Sequence, residues 1–296
     1  MKKVVIIFIV IIALLSILAC TTTKEVIELP PILVEEETAE EKIDTQTYFD
    51  QGYAHFQKGD FDLAIADFTE AIQIDPNNSM AYFYRGKAYL EKRELDSAIA
   101  DFTEVIRLNP SSEESHFNRG IAYFTKEEFD LADTDFTETI HLNPNHAEAV
   151  SWRGRARLYS GEIALAMEDY ALAIDLDPNF VEPHINRGLV NGNKGEFDLA
   201  IADYTHAIIM APNDAVIYNN RGYMHINRGN YDLAIADFTE SIRLDPNYAD
   251  SYNCRGFALF HKGKRGLAIA DFRAALRLDP KNHAAQENLE FVLNQQ

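Results

Sequence analysis

The chain has 296 residues, 47% of them hydrophobic and 25% charged, enough apolar content to bury a continuous core. Its formal net charge of −20, from 47 acidic against 27 basic side chains, repels phosphate backbones and argues against nucleic acid as a partner. Two cysteines, Cys20 and Cys254, are too few for a disulfide framework.

The first element in chain order is a targeting segment. Lys2 and Lys3 form a basic start, and Val4 to Leu18 is apolar apart from Ser16. That run is short for a membrane-spanning helix, which needs roughly 20 apolar residues. It ends in Ile17-Leu18-Ala19-Cys20, which resembles the lipobox of bacterial lipoproteins. The resemblance implies cleavage after Ala19 and a diacylglyceryl group on Cys20, with residues 1–19 as signal peptide. An uncleaved signal anchor with a chance cysteine is the alternative. Either reading tethers the chain on the extracytoplasmic side of a bacterial membrane, at the outer membrane facing the periplasm or at the cell surface.

Residues 20–44 follow as a spacer, with Pro30-Pro31 and the run Glu35-Glu36-Glu37. They lack helical periodicity, and the like charges repel one another, so an extended, unfolded segment is expected.

From Thr45 the sequence repeats. Pro76, Pro110, Pro144, Pro178, Pro212, Pro246 and Pro280 are each 34 residues apart, a period that belongs to solenoids of stacked supersecondary units. Counting Thr45 as position 1, position 8 is glycine and position 20 is alanine in all seven units. Position 24 is always aromatic, from Phe68 to Phe272, and position 15 is glycine in five units. Small residues at 8 and 20 let two helices approach, while the ring at 24 fills space towards the next unit. Glycine at 15 suits a left-handed turn between the helices. Proline at 32 pushes its predecessor out of the helical region and ends the second helix.

These in-phase residues resemble the tetratricopeptide repeat (TPR) pattern over residues 45–282. The resemblance implies an all-α, right-handed α-solenoid of helix-turn-helix units at 45–78, 79–112, 113–146, 147–180, 181–214, 215–248 and 249–282. Position 7 departs from the family, being arginine in units two to seven where leucine is usual. Residues 283–296 form a further amphipathic helix that caps the open end, with Ala285, Leu289, Val292 and Leu293 facing the last unit.

Position 23 is aspartate in every unit, and unit one alone has Gln51 in place of arginine at position 7. Because unit one lacks a preceding unit, each arginine is expected to reach back to the previous aspartate, Arg85 to Asp67 and Arg119 to Asp101.

No phosphate loop, HExxH, GxSxG or cysteine pair is present. No catalytic residue, cofactor or metal site is therefore expected, and the chain reads as a non-enzyme. Cys254 reads as a small buried or half-buried thiol. Residues 249–296 carry seven basic against five acidic side chains, so one end is positive and self-association through the acidic flank is open.

Function is expected on the first helix of each unit. In TPR proteins positions 2, 5, 6, 9 and 12 line a concave groove for peptides or helices. By that resemblance Phe49, Phe83 and Phe117 at position 5 make the N-terminal half aromatic, while Asn219 and Asn253 make the far half polar. At position 6 Asn118, Asn186 and Asn220 carry amides that can pair with a peptide backbone, a row broken at Asp50, Tyr84, Trp152 and Cys254. The mostly acidic or neutral position 2 argues against a basic clamp for a chain terminus. The chain as a whole reads as a membrane-anchored scaffold or adaptor binding protein or peptide partners in envelope assembly. Two further readings stay open, a non-catalytic subunit of an envelope enzyme, secretion or pilus complex, and a surface structural protein without a specific ligand.

Overall fold

A computed structural model describes residues 44–295. The signal segment, Cys20 and the spacer before Asp44 lie outside the described residues. Those described form fifteen α-helices and no strand, taken in pairs. They are α1 (Thr45–Lys58) and α2 (Phe61–Ile74), α3 (Ser79–Glu91) and α4 (Leu95–Leu108), and α5 (Glu113–Thr125) and α6 (Phe129–Leu142). Next come α7 (Ala147–Tyr159) and α8 (Ile163–Leu176), then α9 (Val181–Asn193) and α10 (Phe197–Met210). The last pairs are α11 (Ala215–Asn227) with α12 (Tyr231–Leu244) and α13 (Ala249–His261) with α14 (Arg265–Leu278), followed by the single α15 (His283–Asn294). No described helix is long and apolar enough to cross a membrane.

Each pair closes on the same interlock. The position 20 alanines are completely buried and the position 24 rings almost so. A Cβ built on Gly120 would lie 2.8 Å from the Phe136 ring, and one on Gly52 2.9 Å from Phe68. Glycine is required at position 8 because the ring occupies the space any side chain would need. The same rings reach the next unit, Phe68 stacking on Tyr84 and Phe136 on Trp152.

Turns follow from local chemistry. The five position 15 glycines have φ between 71° and 86°, and Arg93 and Glu127 take the same left-handed conformation at 61° and 63° in units two and three. For a residue with a Cβ this costs roughly 1–2 kcal/mol. At the other turn, the residue before proline accepts a hydrogen bond from the N–H of the residue after it, as in Asp75 to Asn77 at 3.0 Å and Asp177 to Asn179 at 3.0 Å. This Asx turn gives a reason for Asp or Asn in six of the seven positions.

Consecutive first helices touch along most of the stack, α1 with α3, α3 with α5 and α5 with α7 among them, and no comparable contact joins consecutive second helices. First helices therefore line the tighter inner side of the curve and second helices the outer side. The cap packs Ala285, Leu289 and Val292 onto the last unit. Leu293 does not join them and is exposed, which corrects the expected covering face.

Candidate functional site

The conserved-phase charges hold the stack together by a route other than the one expected. Arg85 grips Asp101 of its own unit with two hydrogen bonds, Nε to Oδ2 at 2.8 Å and Nη2 to Oδ1 at 2.7 Å. It does not pair with Asp67, and Arg119 likewise takes Asp135 rather than Asp101. The fork of the guanidinium matches the carboxylate within the unit, and only Nη1 is left to reach back. That nitrogen donates to the position 25 threonine of the preceding unit, Thr69 from Arg85 at 3.0 Å and Thr103 from Arg119 at 2.9 Å. In unit one His55 meets Asp67 at 2.7 Å instead. Burial pushes the Asp101 carboxyl above its usual range against the pull of Arg85.

A second ladder lies on the turn edge. The position 14 cation meets the position 18 aspartate of the unit before it, as in Lys92 with Asp62 at 2.6 Å, Lys126 with Asp96 at 2.6 Å, Arg228 with Asp198 at 2.8 Å and Lys262 with Asp232 at 2.9 Å.

The residues expected to form the groove separate into two groups. Phe83 is only 7% exposed and packs on Phe102, so it fills the core and is not presented to a ligand. Phe49 is half-buried against Phe68 and Tyr84, and Phe117 against Phe136 and His146. Asn219 is buried and accepts from Ser251 Oγ at 3.0 Å, while Asn253 accepts from Asn288 of the cap at 3.0 Å. Position 5 thus belongs to the joint between neighbouring first helices, and the expected gradient from aromatic to polar along it is corrected. Tyr84 also sits among rings, and Asn118 donates to the Glu114 carbonyl of its own helix at 2.6 Å. Asn186 and Asn220 are half-buried and make no side-chain hydrogen bond among the described residues. Trp152 is half-buried between Phe136 and Arg155.

The open apolar surface of the inner face lies elsewhere, in the C-terminal half. Leu189 is 46% exposed, Tyr223 50%, and Phe291 of the cap 54%, with the half-buried Phe257 between them in sequence. Units five, six and seven contribute Leu189, Tyr223 and Phe257 from position 9, and Val216 at position 2 adds 48% exposure. Position 9 was a groove position by resemblance, and reading its row, Tyr53 to Phe257, would have found them. Cys254 lies in the same region, its thiol pushed up to about 12 by burial, which leaves it unreactive.

Where α7 meets α9, a cleft of about 180 Å³ is lined by Glu148, Ser151, Trp152, Arg155, Phe180 and Glu182. The Arg155 guanidinium lies 4.3 Å from the Trp152 ring centroid and 4.9 Å from that of Phe124, with no carboxylate in ion-pair reach among the described residues. No cluster of His, Cys, Asp and Glu suited to a metal occurs among the described residues. Chemically this face can hold chain segments by stacking, apolar burial and amide pairing.

Family models described as tetratricopeptide repeat match residues 49–113, 117–179, 181–214, 215–248 and 249–282. The chain belongs to the tetratricopeptide repeat family. Among solved structures it is similar to a tetratricopeptide repeat protein from Parabacteroides merdae, at 20% identity and a TM-score of 0.62, over 84% of this chain and 99% of that one. MamA protein is 30% identical over 56% of this chain and 91% of its own, with a TM-score of 0.53. YrrB, described as a TPR protein with an unusual peptide-binding site, is 20% identical over 67% of this chain and 97% of its own, with a TM-score of 0.51. A comparison with curated protein sequences gave no match. The fold is thus an all-α TPR solenoid, a type of protein-interaction scaffold.

Proposed function

We propose that this protein is a membrane-tethered scaffold that holds an extended segment of a partner protein along the inner face of α9, α11 and α13. The observation that carries the reading is the open apolar row of Leu189, Tyr223 and Phe257 beside the amides of Asn186 and Asn220. Aromatic and aliphatic side chains give a partner apolar area to bury, and an amide that spends nothing on its own helix can donate and accept at a peptide unit. Asn193, one turn beyond Leu189, adds a third such amide. An extended strand suits these alternating groups better than a helix, which satisfies its own backbone.

Selection of randomised decapeptides on the purified chain, followed by calorimetry, tests the reading. Asn186→Ala with Asn220→Ala and Leu189→Ala is expected to weaken selected peptides at least tenfold, with the unfolding transition unchanged. Equal affinity in the triple variant would sink it.

The tether is supported by the run ending in Ala19-Cys20. The lipid on Cys20 would fix the protein at the extracytoplasmic face of a bacterial envelope. A mass increase on the mature chain, lost in Cys20→Ala, checks this, and an unmodified mature N-terminus would refute it.

A further inference from the structure

The cleft between units four and five has a makeup unlike the rest of the inner face. Ser151 is 2% exposed, lines the cleft and makes no hydrogen bond among the described residues, so its hydroxyl is free to pair with a group entering the cleft. Arg155 stands beside it with its donors unspent on any carboxylate. The Trp152 indole carries Arg155 at 4.3 Å from its centroid and packs on Phe136 at 6.2 Å between centroids, so it forms a wall of the cleft. Glu148 and Glu182, at position 2 of successive units, are exposed and pair with no cation among the described residues. The position 18 aspartates of the outer edge differ, since several are neutralised across the unit joints.

We propose that this cleft receives a lysine or arginine residue of the bound segment. The inference rests on the reading of the inner face as a peptide groove. The donors Arg155 and Ser151 meet the backbone carbonyl of that residue, Phe180 covers its methylene stem, and Glu148 and Glu182 take its cation. Two carboxylates against one guanidinium leave the cleft net negative, and a basic residue restores neutrality. An acidic residue would satisfy Arg155 but add a third carboxylate between the two already there. An apolar residue would leave both glutamates and the hydroxyl as they are. The long-range field points the same way, because a chain of net charge −20 attracts basic segments and does so less at high salt.

Trp152 is the only tryptophan in the chain, so its emission reports on this cleft. Decapeptides selected on the purified chain are expected to share a Lys or Arg at one position and to shift Trp152 emission on binding. Replacing that residue by norleucine should weaken binding about tenfold. Glu148→Gln with Glu182→Gln should weaken the basic peptide to the level of the norleucine peptide and reduce its salt dependence. Both side chains are exposed, and unchanged thermal unfolding of the double variant shows that the fold is kept. Peptides that bind without a basic residue, or without moving Trp152 emission, overturn the cleft assignment and leave the groove standing. Selection of an acidic residue overturns it in favour of carboxylate capture by Arg155. If calorimetry detects no selected peptide at all, the groove reading falls with it.

Discussion

The joint between units one and two and the joint between units four and five are built on the same backbone plan yet held differently. At the first, Arg85 reaches Thr69 at 3.0 Å and Lys92 reaches Asp62 at 2.6 Å. At the second, position 25 is Ala171 and position 18 is Ala164, so Arg187 and Lys194 have no counterpart across the joint. Across it His184 pairs with the Pro178 backbone, neither ladder is present, and apolar packing of Ala166, Tyr170 and Val190 does most of the joining. The Tyr170 hydroxyl is buried there without a partner. The period sets how units stack, while two or three side chains per joint set how firmly.

The largest expected effect comes from breaking the firm joint. Arg85→Ala leaves the Asp101 carboxylate buried and alone and also cuts the link to Thr69, and should cost about 3–5 kcal/mol in urea unfolding. Arg187→Ala should cost clearly less, because Asp203 keeps Asn191 as a donor at 3.1 Å and no cross-joint bond is lost. Equal losses would mean that the aspartate's surroundings and the threonine link are immaterial. Next in size is the reverse experiment. Ala171→Thr with Ala164→Asp installs both ladders at the loose joint and should add about 1–2 kcal/mol, with slower amide exchange in α8 and α9. Unchanged exchange would show that the ladders do not govern the joint.

Tyr170→Phe removes an unsatisfied hydroxyl and should stabilise by about 1 kcal/mol in the same assay. A loss of stability would reveal a partner for that hydroxyl. The smallest effect is one of pH. Burial lowers the pKa of His184 and His225 below the usual histidine value. The unfolded chain then binds protons that the folded chain refuses, so stability is complete above about pH 6.5 and falls as pH drops below it. His184→Gln with His225→Gln should flatten the unfolding midpoint between pH 7 and pH 5, and an unaltered slope would place the dependence elsewhere.

Much of this architecture was legible in the sequence. Gly52, Ala64 and Phe68 recur in phase because their packing tolerates nothing else, so each carries its geometry in its residue type. The arginine's partner was not legible. In a periodic chain the aspartate 16 residues ahead of Arg85 and the one 18 residues behind recur with the same regularity, and spacing cannot separate them. Gln51 pointed the wrong way for the aspartate and the right way for the preceding unit, since the true cross-joint acceptor is a threonine of the unit before, and unit one has no such neighbour among the repeats. The inner face was half legible. Phe83 and Leu189 are both apolar residues on first helices, and only the rings of neighbouring units decide that one is covered and the other open.

A stack of repeats pulled along its length behaves as springs in series, where extension concentrates in the most compliant element. With both ladders absent between Tyr170 and Arg187, strain along the solenoid gathers at that one joint. The distance between Glu148 and Glu182 is then the first dimension of the molecule to change under tension.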